Sequence, residues 1–169
     1  MITFGTDRGF DYSAGEISYD SLARPTFDFY IRGEKRDTLS PGVSGEHNVY
    51  NALAAAAAAL EAGLSLEAVK RGLLSFTGTK RRFEKKGVLN GVTIIDDYAH
   101  HPQEIRASLK TAQNYPHNRI WCVFQPHTYT RTKAFLDEFA EALSMADCIV
   151  LADIYAARET DTLASAPAT

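Results

Sequence analysis

The sequence predicts an α/β fold in which a Rossmann-like parallel sheet occupies the C-terminal half and a shorter β/α segment precedes it. Strand and helix patterns alternate from residue 92 to residue 151, which is typical of parallel strands joined by right-handed crossovers. An alanine-rich helix pattern covers residues 46–62. Between the two halves, residues 76–80 break both patterns, so we place a domain boundary there.

The composition is that of an ordinary globular protein, with 45% hydrophobic and 23% charged residues. A net charge of -3 gives no electrostatic reason to expect nucleic-acid binding. No apolar run is long enough to span a bilayer and no signal peptide is visible, so we expect a cytoplasmic protein without membrane contact. Cys122 and Cys148 lie in apolar strand patterns and are expected to be reduced.

In the N-terminal half, the pattern of apolar and polar residues predicts strands over residues 16–22 and 26–32 and a short third strand at 37–39. The alanine-rich helix should end at Gly63, because glycine readily adopts the conformation that terminates helices. Ser65 can then cap a second helix, since its hydroxyl can accept a hydrogen bond from the first turn.

In the C-terminal half, Asn90-Gly91 is a dipeptide favoured in two-residue hairpin turns. Strands are therefore predicted over residues 82–88 and 92–96. The elements that follow are predicted as helix 102–114, strand 119–124, helix 131–144 and strand 147–151. The sheet would be unfinished after the last of these strands, which suggests a piece of a longer protein.

The most informative segment is the corner Asp96-Asp97-Tyr98-Ala99-His100-His101-Pro102, which lies between a predicted strand and a predicted helix. Ligands bind outside the carboxyl ends of strands in open α/β sheets, and this corner places carboxylates, a phenol and imidazoles there. Backbone N–H groups at the helix start add donors for an anion. The alternative is a set of helix caps with a histidine packed on its own helix.

Two further polar loops follow the later strands, at residues 125–132 and 153–159. The first contains Arg131, whose guanidinium can bind a carboxylate or a phosphate through two hydrogen bonds. We expect these loops to lie on the same rim of the sheet. The alternative for the first loop is a helix start capped by Thr130, with Arg131 in solvent.

Asn48 and Asn51 open the alanine-rich helix three residues apart, so their amides should share one face. An amide offers a donor and an acceptor together, which suits the edge of an adenine. Arg81 and Arg82, just after the boundary, place two guanidinium groups close together, which suits phosphate. The alternatives are a helix cap at Asn48 and a solvated basic linker.

Together these segments resemble the ATP-dependent Mur ligases of peptidoglycan synthesis. The likeness is carried by Gly45-Glu46-His47-Asn48 with Asn51, by Arg81-Arg82-Phe83, and by residues 96–102, 125–132 and 153–159. The resemblance implies that residues 1–77 end a central ATPase domain, 78–82 form a linker and 83–169 form a truncated C-terminal Rossmann-like domain. The phosphate loop and most magnesium ligands would lie outside this chain, so the chain alone should be inactive.

The resemblance also implies an activity. The enzyme would use ATP and Mg²⁺ to add L-alanine to UDP-N-acetylmuramate through an acyl-phosphate intermediate. Four residues would bind the nucleotide, with the two amides at the adenine, the arginine at the phosphates and the carboxylate at the ribose: Asn48, Asn51, Arg82 and Asp97.

Three residues are implied, by the same resemblance, to face the amino acid and the reacting carboxyl group: Tyr98, His100 and Arg131. His101 and His127 are weaker candidates. Some relatives carry arginine where this chain has Thr128, and threonine cannot replace a guanidinium. More would therefore depend on Arg131.

Three other functions stay open on the sequence. A sister ligase that reattaches recycled tripeptide shares a similar Asp-Asp-aromatic-Ala-His-His-Pro run. A metal-dependent phosphoesterase could use the adjacent acids and histidines of residues 96–101, because such pairs can bind Mn or Zn. A non-catalytic Rossmann-like interaction domain is the third, since this chain contains no Walker-type phosphate loop.

Overall fold

The computed structural model describes residues 1–160. The chain divides into two compact units, the first ending at Asp97 and the second beginning at Tyr98. The last part of the predicted C-terminal domain, residues 161–169, lies outside the described residues. The limits of 1–77, 78–82 and 83–169 for the two domains and their linker remain a prediction.

A four-stranded mixed sheet of order β1-β2-β3-β4 forms the centre of the first unit. Its strands are β1 (Phe4–Gly5), β2 (Tyr12–Tyr19), β3 (Pro25–Ile31) and β4 (Glu34–Leu39). β1 runs parallel to β2, and the other neighbours are antiparallel. The strand predicted over residues 16–22 overlaps β2 only as far as Tyr19, and its predicted end at residue 22 is wrong. The chain turns at Asp20 instead, because the Asp20 carboxylate accepts hydrogen bonds from the N–H groups of Leu22 and Arg24.

Two helices, α1 (His47–Glu61) and α2 (Leu66–Ser75), pack against this sheet. Small and branched apolar residues recur along α1 at a spacing of three and four, which gives the helix one apolar face. That face meets the aromatic side chains of β3. The resulting core includes five side chains that are each at most 1% exposed: Phe27, Phe29, Leu39, Val49 and Leu53.

The predicted ends of these helices are confirmed. Gly63 follows the last residues of α1 with a φ of 87°, a left-handed value that costs glycine little. The Ser65 hydroxyl accepts a hydrogen bond of 3.3 Å from the Ala68 N–H group and so caps α2. The positions of both helices therefore follow from local sequence signals.

The first unit ends in a hairpin of two antiparallel strands, β5 (Glu84–Leu89) and β6 (Val92–Asp96). Asn90 and Gly91 have φ values of 50° and 82°, the left-handed pair that a type I′ turn requires, so the predicted turn is confirmed. β5 begins later than the predicted residue 82. Arg81 and Phe83 have φ values of 58° and 47°, which an extended strand does not contain.

The second unit is an α/β layer in which β7 (Trp121–Phe124) and β8 (Cys148–Leu151) pair in parallel, as predicted. Its helices are α3 (Pro102–Gln113), α4 (Tyr129–Ala134) and α5 (Leu136–Leu143). Side chains from α3, β7 and α5 form its core: Ile105, Leu109, Phe124, Phe139, Ala142 and Leu143. Cys122 and Cys148 are both free thiols, as expected.

Two predicted limits in the second unit are wrong. The helix over residues 131–144 is broken at Phe135, whose φ of -122° and ψ of 29° lie outside the helical region. The strand predicted from residue 119 begins only at Trp121, because the Ile120 N–H group donates to the Asp147 carboxylate rather than to a strand.

Within residues 1–160, no helix has the length and apolar character needed to cross a membrane.

Candidate functional site

A pocket of about 100 Å³ lies beside the start of α1 in the first unit. Apolar side chains form most of its wall, and two amides are its polar members. The residues that define it include Pro41, Val43, Asn48, Asn51, Leu73 and Phe76. Apolar walls with a few placed polar groups are typical of small-molecule sites, and these walls can accept the face of a planar base while the amides meet its edge.

The two amides share one face of α1, as predicted, and bond to each other. The Asn48 carbonyl oxygen accepts a hydrogen bond of 2.9 Å from the Asn51 side-chain amide, and the Asn48 amide donates to the Ser44 carbonyl at 2.7 Å. The alternative in which Asn48 caps the helix is wrong, because Glu46 occupies the N-cap position.

Part of the pocket wall depends on a close backbone approach at Gly42. A Cβ atom at this position would lie 2.6 Å from the Phe76 carbonyl oxygen and 2.7 Å from that of Leu74. The Gly42 N–H group also donates to the Leu73 carbonyl at 3.0 Å. Only glycine allows the chain to run this close to the end of α2, and this contact brings Pro41 and Phe76 to the same pocket.

Residues 81–83, which precede β5, contact the carboxylates at the end of β6. The Phe83 N–H group donates to the Asp97 carboxylate at 3.1 Å, and the Arg81 Nε atom lies 3.8 Å from the Asp96 carboxylate. Arg81 therefore pairs with an acid at the strand end, and both Arg81 and Arg82 are exposed. The carboxylates at the end of β6 thus contact the segment that carries both arginines.

Three of the predicted nucleotide-binding residues come together around His47, the first residue of α1. Its ring nitrogen Nε2 lies 3.2 Å from the Asn48 amide nitrogen. Burial by surrounding protein atoms lowers the pKa of His47, the Asp97 carboxylate raises it, and the Arg82 guanidinium lowers it. The side chain nonetheless keeps part of its surface in solvent. Asn48, Asp97 and Arg82 therefore lie near one imidazole that sequence reasoning did not select.

In the second unit, the corner after Asp97 orders the His100 ring. Its Nδ1 atom lies 2.9 Å from the Tyr98 carbonyl oxygen, and the two side-chain rings meet edge to face at 5.2 Å. Because a carbonyl can only accept, Nδ1 carries a hydrogen and the neutral ring keeps its lone pair on Nε2. His100 is therefore arranged to accept a hydrogen bond at Nε2 when its ring is neutral, and Tyr98 is 48% exposed beside it.

His101 has a structural role at this corner. It caps α3 by accepting a hydrogen bond from the Gln103 N–H group, and Glu104 completes the capping box. The Glu104 carboxylate also accepts from the backbone N–H groups of His100 and His101, at 3.0 and 3.2 Å. Sequence analysis missed Glu104, although an acid three residues after a cap is the usual signal. The alternative of caps is thus correct for His101.

The loops after β7 and β8 lie side by side, as predicted for a shared rim. The Thr128 N–H group donates to the Tyr155 carbonyl, and the Tyr155 N–H group donates to the Pro126 carbonyl, each at 2.9 Å. The His127 ring packs on the Tyr155 ring with 5.5 Å between centroids. His127 therefore holds the two loops together.

Thr128 combines backbone strain with a capping role next to Arg131. Its φ of 68° and ψ of 142° are unusual for a β-branched residue and cost energy. Its hydroxyl accepts from the Arg131 N–H group at 3.4 Å, so Thr128, and not Thr130, caps α4. The Arg131 side chain is half-buried, and within residues 1–160 no acid or carbonyl pairs with its guanidinium.

A second residue missed by sequence analysis, Glu159, anchors the start of α4. Its carboxylate accepts a hydrogen bond of 2.9 Å from the Thr130 N–H group. This bond is the main cause that lowers the pKa of Glu159, and contacts with Tyr129 and Thr128 act in the same direction. The partners are 29 residues apart, so no local pattern could have indicated the contact.

We expect Glu159→Gln to lower the stability of the protein in a pH-dependent way. A carboxylate whose pKa is lowered on folding contributes stability above its unfolded pKa, and this contribution is lost as the pH falls through the lowered folded value. The stability difference between wild type and Glu159→Gln should therefore be largest well above the ordinary glutamate pKa of 4.5. Urea unfolding at a series of pH values measures it. An equal difference at neutral and strongly acidic pH contradicts this role.

Among residues 1–160, no group of three or more His, Cys, Asp and Glu side chains is placed to hold a metal ion.

Comparison with known proteins gives a family match. The family model described as Mur ligase, glutamate ligase domain, matches residues 81–168. The UDP-N-acetylmuramate–L-alanine ligase of Lachnospira eligens is 62% identical over 164 residues, which are 96% of this chain and 36% of that relative.

Two solved structures of ligases are also similar to this chain. The UDP-N-acetylmuramate–alanine ligase of Thermotoga maritima matches with a TM-score of 0.78 and 34% identity, over 91% of this chain and 34% of that one. A murein peptide ligase of Psychrobacter arcticus matches with a TM-score of 0.61 and 32% identity, over 88% of this chain and 31% of that one. The chain thus spans about a third of the length of the relatives it matches.

Proposed function

Since the chain belongs to the Mur ligase family, we propose that it is part of an ATP-dependent ligase that adds L-alanine to UDP-N-acetylmuramate. The observation that carries the proposal is the joint placement of Asn48, Asn51, Arg82 and Asp97 around the start of α1, beside a pocket with apolar walls. The choice of L-alanine is supported by the 62% identity to the Lachnospira eligens enzyme.

The first unit is proposed to bind the nucleotide. An adenine fits between the apolar walls, and the carboxamides of Asn48 and Asn51 meet its polar edge. The Asp97 carboxylate accepts hydrogen bonds from the ribose hydroxyls, and the exposed Arg82 guanidinium binds the phosphates. Bound ATP with Mg²⁺ supplies the phosphoryl group that activates the muramate carboxylate. The phosphate loop and the magnesium ligands are proposed to lie elsewhere in the full-length enzyme.

The second unit is proposed to hold the amino acid. Arg131 has no protein partner for its guanidinium within residues 1–160, so it can form a bidentate pair with the amino-acid carboxylate. The Nε2 lone pair of His100 can accept a hydrogen bond from the amine, since Nδ1 faces the Tyr98 carbonyl. Tyr98 adds an exposed phenol at the same corner. These residues position the nucleophile for attack on the activated carboxyl group.

A phosphate-release assay on the full-length protein tests the proposal. UDP-N-acetylmuramate, ATP and Mg²⁺ are supplied with L-alanine, L-serine, glycine or a murein tripeptide in separate reactions. We expect the fastest release of phosphate with L-alanine, accompanied by the UDP-linked amide in mass spectrometry. Release with the tripeptide alone would assign the recycling activity instead, and no release with any acceptor would refute the ligase proposal.

A further inference from the structure

The His47 ring contacts the Asn48 side chain, and the neighbouring atoms determine which of the two groups donates the hydrogen bond. Its Nε2 atom lies 3.2 Å from the Asn48 amide nitrogen. That same nitrogen lies 2.7 Å from the Ser44 carbonyl oxygen, which can only accept. The Asn48 atom facing both groups is therefore the NH₂ group, and its second hydrogen is available to the imidazole. His47 must accept this hydrogen at Nε2.

A second hydrogen bond links the Asn48 side chain to that of Asn51. With its NH₂ group held by Ser44 and His47, Asn48 presents its oxygen to the Asn51 amide at 2.9 Å. One N–H of Asn51 is thereby used, and its side chain is oriented in turn. Its other N–H and its oxygen stay available beside the pocket that both amides line. The remaining N–H group and the side-chain oxygen of Asn51 are consequently held in one orientation.

We propose that His47 is a positioning residue that fixes the orientation of the Asn48–Asn51 amide pair and so makes the pocket select adenine over hypoxanthine. The inference rests on the proposed function and goes beyond it by naming a selectivity device. The Watson–Crick edge of adenine offers an amino donor beside a ring acceptor, whereas that of hypoxanthine offers a carbonyl acceptor beside an N–H donor. A carboxamide that can rotate by 180° can exchange its oxygen and its NH₂ group, so it can hydrogen-bond to either base. A carboxamide held in one orientation matches the hydrogen-bonding groups of only one of them.

The charges around His47 allow it to act as an acceptor at neutral pH. Asp97, at the end of β6, and Arg82, in the segment before β5, are the charged groups that act on the ring. Burial lowers the pKa of His47 more than Asp97 raises it, so the ring is neutral at neutral pH. Protonation would bring an N–H at Nε2 against the Asn48 N–H and would release the amide pair.

The proposal is tested by nucleotide binding to the full-length enzyme. Dissociation constants for ATP and ITP, both with Mg²⁺, are measured calorimetrically for wild type, His47→Leu, His47→Gln and Tyr50→Leu. Removing the acceptor in His47→Leu should weaken ATP binding by about three- to tenfold and reduce the ATP-over-ITP preference by a similar factor. His47→Gln can still offer an oxygen to Asn48 and should keep most of the preference. Tyr50, 42% exposed on the same helix, provides the matched control and should change neither constant.

The pH dependence separates positioning from a general effect on folding. In wild type the ATP-over-ITP preference should fall as the pH is lowered and His47 takes up a proton. In His47→Gln it should be independent of pH. Because ATP and ITP carry the same phosphates, phosphate titration cancels in the ratio.

The outcomes distinguish this inference from the proposed function. Wild type that binds no ATP would refute both. Wild type that prefers ATP, together with His47→Leu that keeps the same preference, would overturn only the role of His47. Should His47→Leu fail to fold, a preference in wild type that does not change with pH would overturn it equally.

Discussion

Replacing Arg131 with alanine is expected to lower kcat/KM for the amino acid by roughly 100-fold, mainly through KM. The guanidinium is half-buried and has no partner within residues 1–160, so a bound carboxylate would be its main counter-charge. Residues 125–130, which precede Arg131, contain no other arginine, so no second guanidinium from this segment can bind the same carboxylate. Steady-state kinetics with varied L-alanine, at saturating ATP and UDP-N-acetylmuramate, measure the effect.

Two further variants show whether the effect comes from the carboxylate. Arg131→Lys keeps the charge but cannot form the two parallel hydrogen bonds, so it should lie between wild type and Arg131→Ala. Lys133→Ala removes an exposed cation from the same helix and should leave KM for L-alanine unchanged. If Arg131→Ala raised KM for ATP and left that for L-alanine intact, Arg131 would belong to the phosphates.

Much of the fold could be predicted because its signals are local. Asn90-Gly91 forces the β5–β6 turn, since both residues take left-handed φ values. Gly63 and Ser65 mark the end of one helix and the start of the next. Each of these signals acts within a few residues, so one sequence is enough to find it.

The limits that sequence reasoning missed depend on partners distant in the chain. The apolar pattern continues through Phe135, yet the helix breaks there, where the Phe135 ring packs on His101 with 4.9 Å between centroids. Thr128 takes a positive φ while its backbone is bonded to Tyr155. A helix or strand pattern does not record such contacts.

The candidate site likewise has features that the sequence could indicate and a feature that it could not. Residue types and motif spacing select Asn48, Asn51, Asp97 and Arg131 as candidate site residues, and their roles stay predictions. The role proposed for His47 was not visible in the sequence, because it depends on which atom of the Asn48 amide faces the Ser44 carbonyl. Candidate side chains can thus be selected from sequence, whereas the orientation of an amide requires coordinates.

Replacing Asp97 with alanine is expected to weaken ATP binding to the full-length enzyme by about 30- to 100-fold. The change removes the proposed acceptor for the ribose hydroxyls and also the acceptor of the Phe83 N–H group, which holds the turn that carries Arg82. Asp97→Asn keeps an oxygen for Phe83 and loses only the charge, so its effect should be smaller. Asp96→Asn is the matched control, because within residues 1–160 the Asp96 carboxylate is paired with Arg81 in a partly exposed ion pair.

The two roles of Asp97 can be separated with 2′-deoxy-ATP. If the carboxylate binds the ribose 2′-hydroxyl, wild type should lose affinity on removal of that hydroxyl, whereas Asp97→Ala should bind both nucleotides equally. If Asp97 acts only by holding Phe83, wild type and Asp97→Ala should lose the same factor with the deoxynucleotide. In that case Asp97→Ala should melt at a lower temperature than wild type, because it loses the Phe83 hydrogen bond, whereas Asp97→Asn keeps an acceptor for it and should retain the wild-type melting temperature. Calorimetric binding and thermal unfolding of the same samples therefore decide whether this strand end contacts the nucleotide or only shapes the segment beside it.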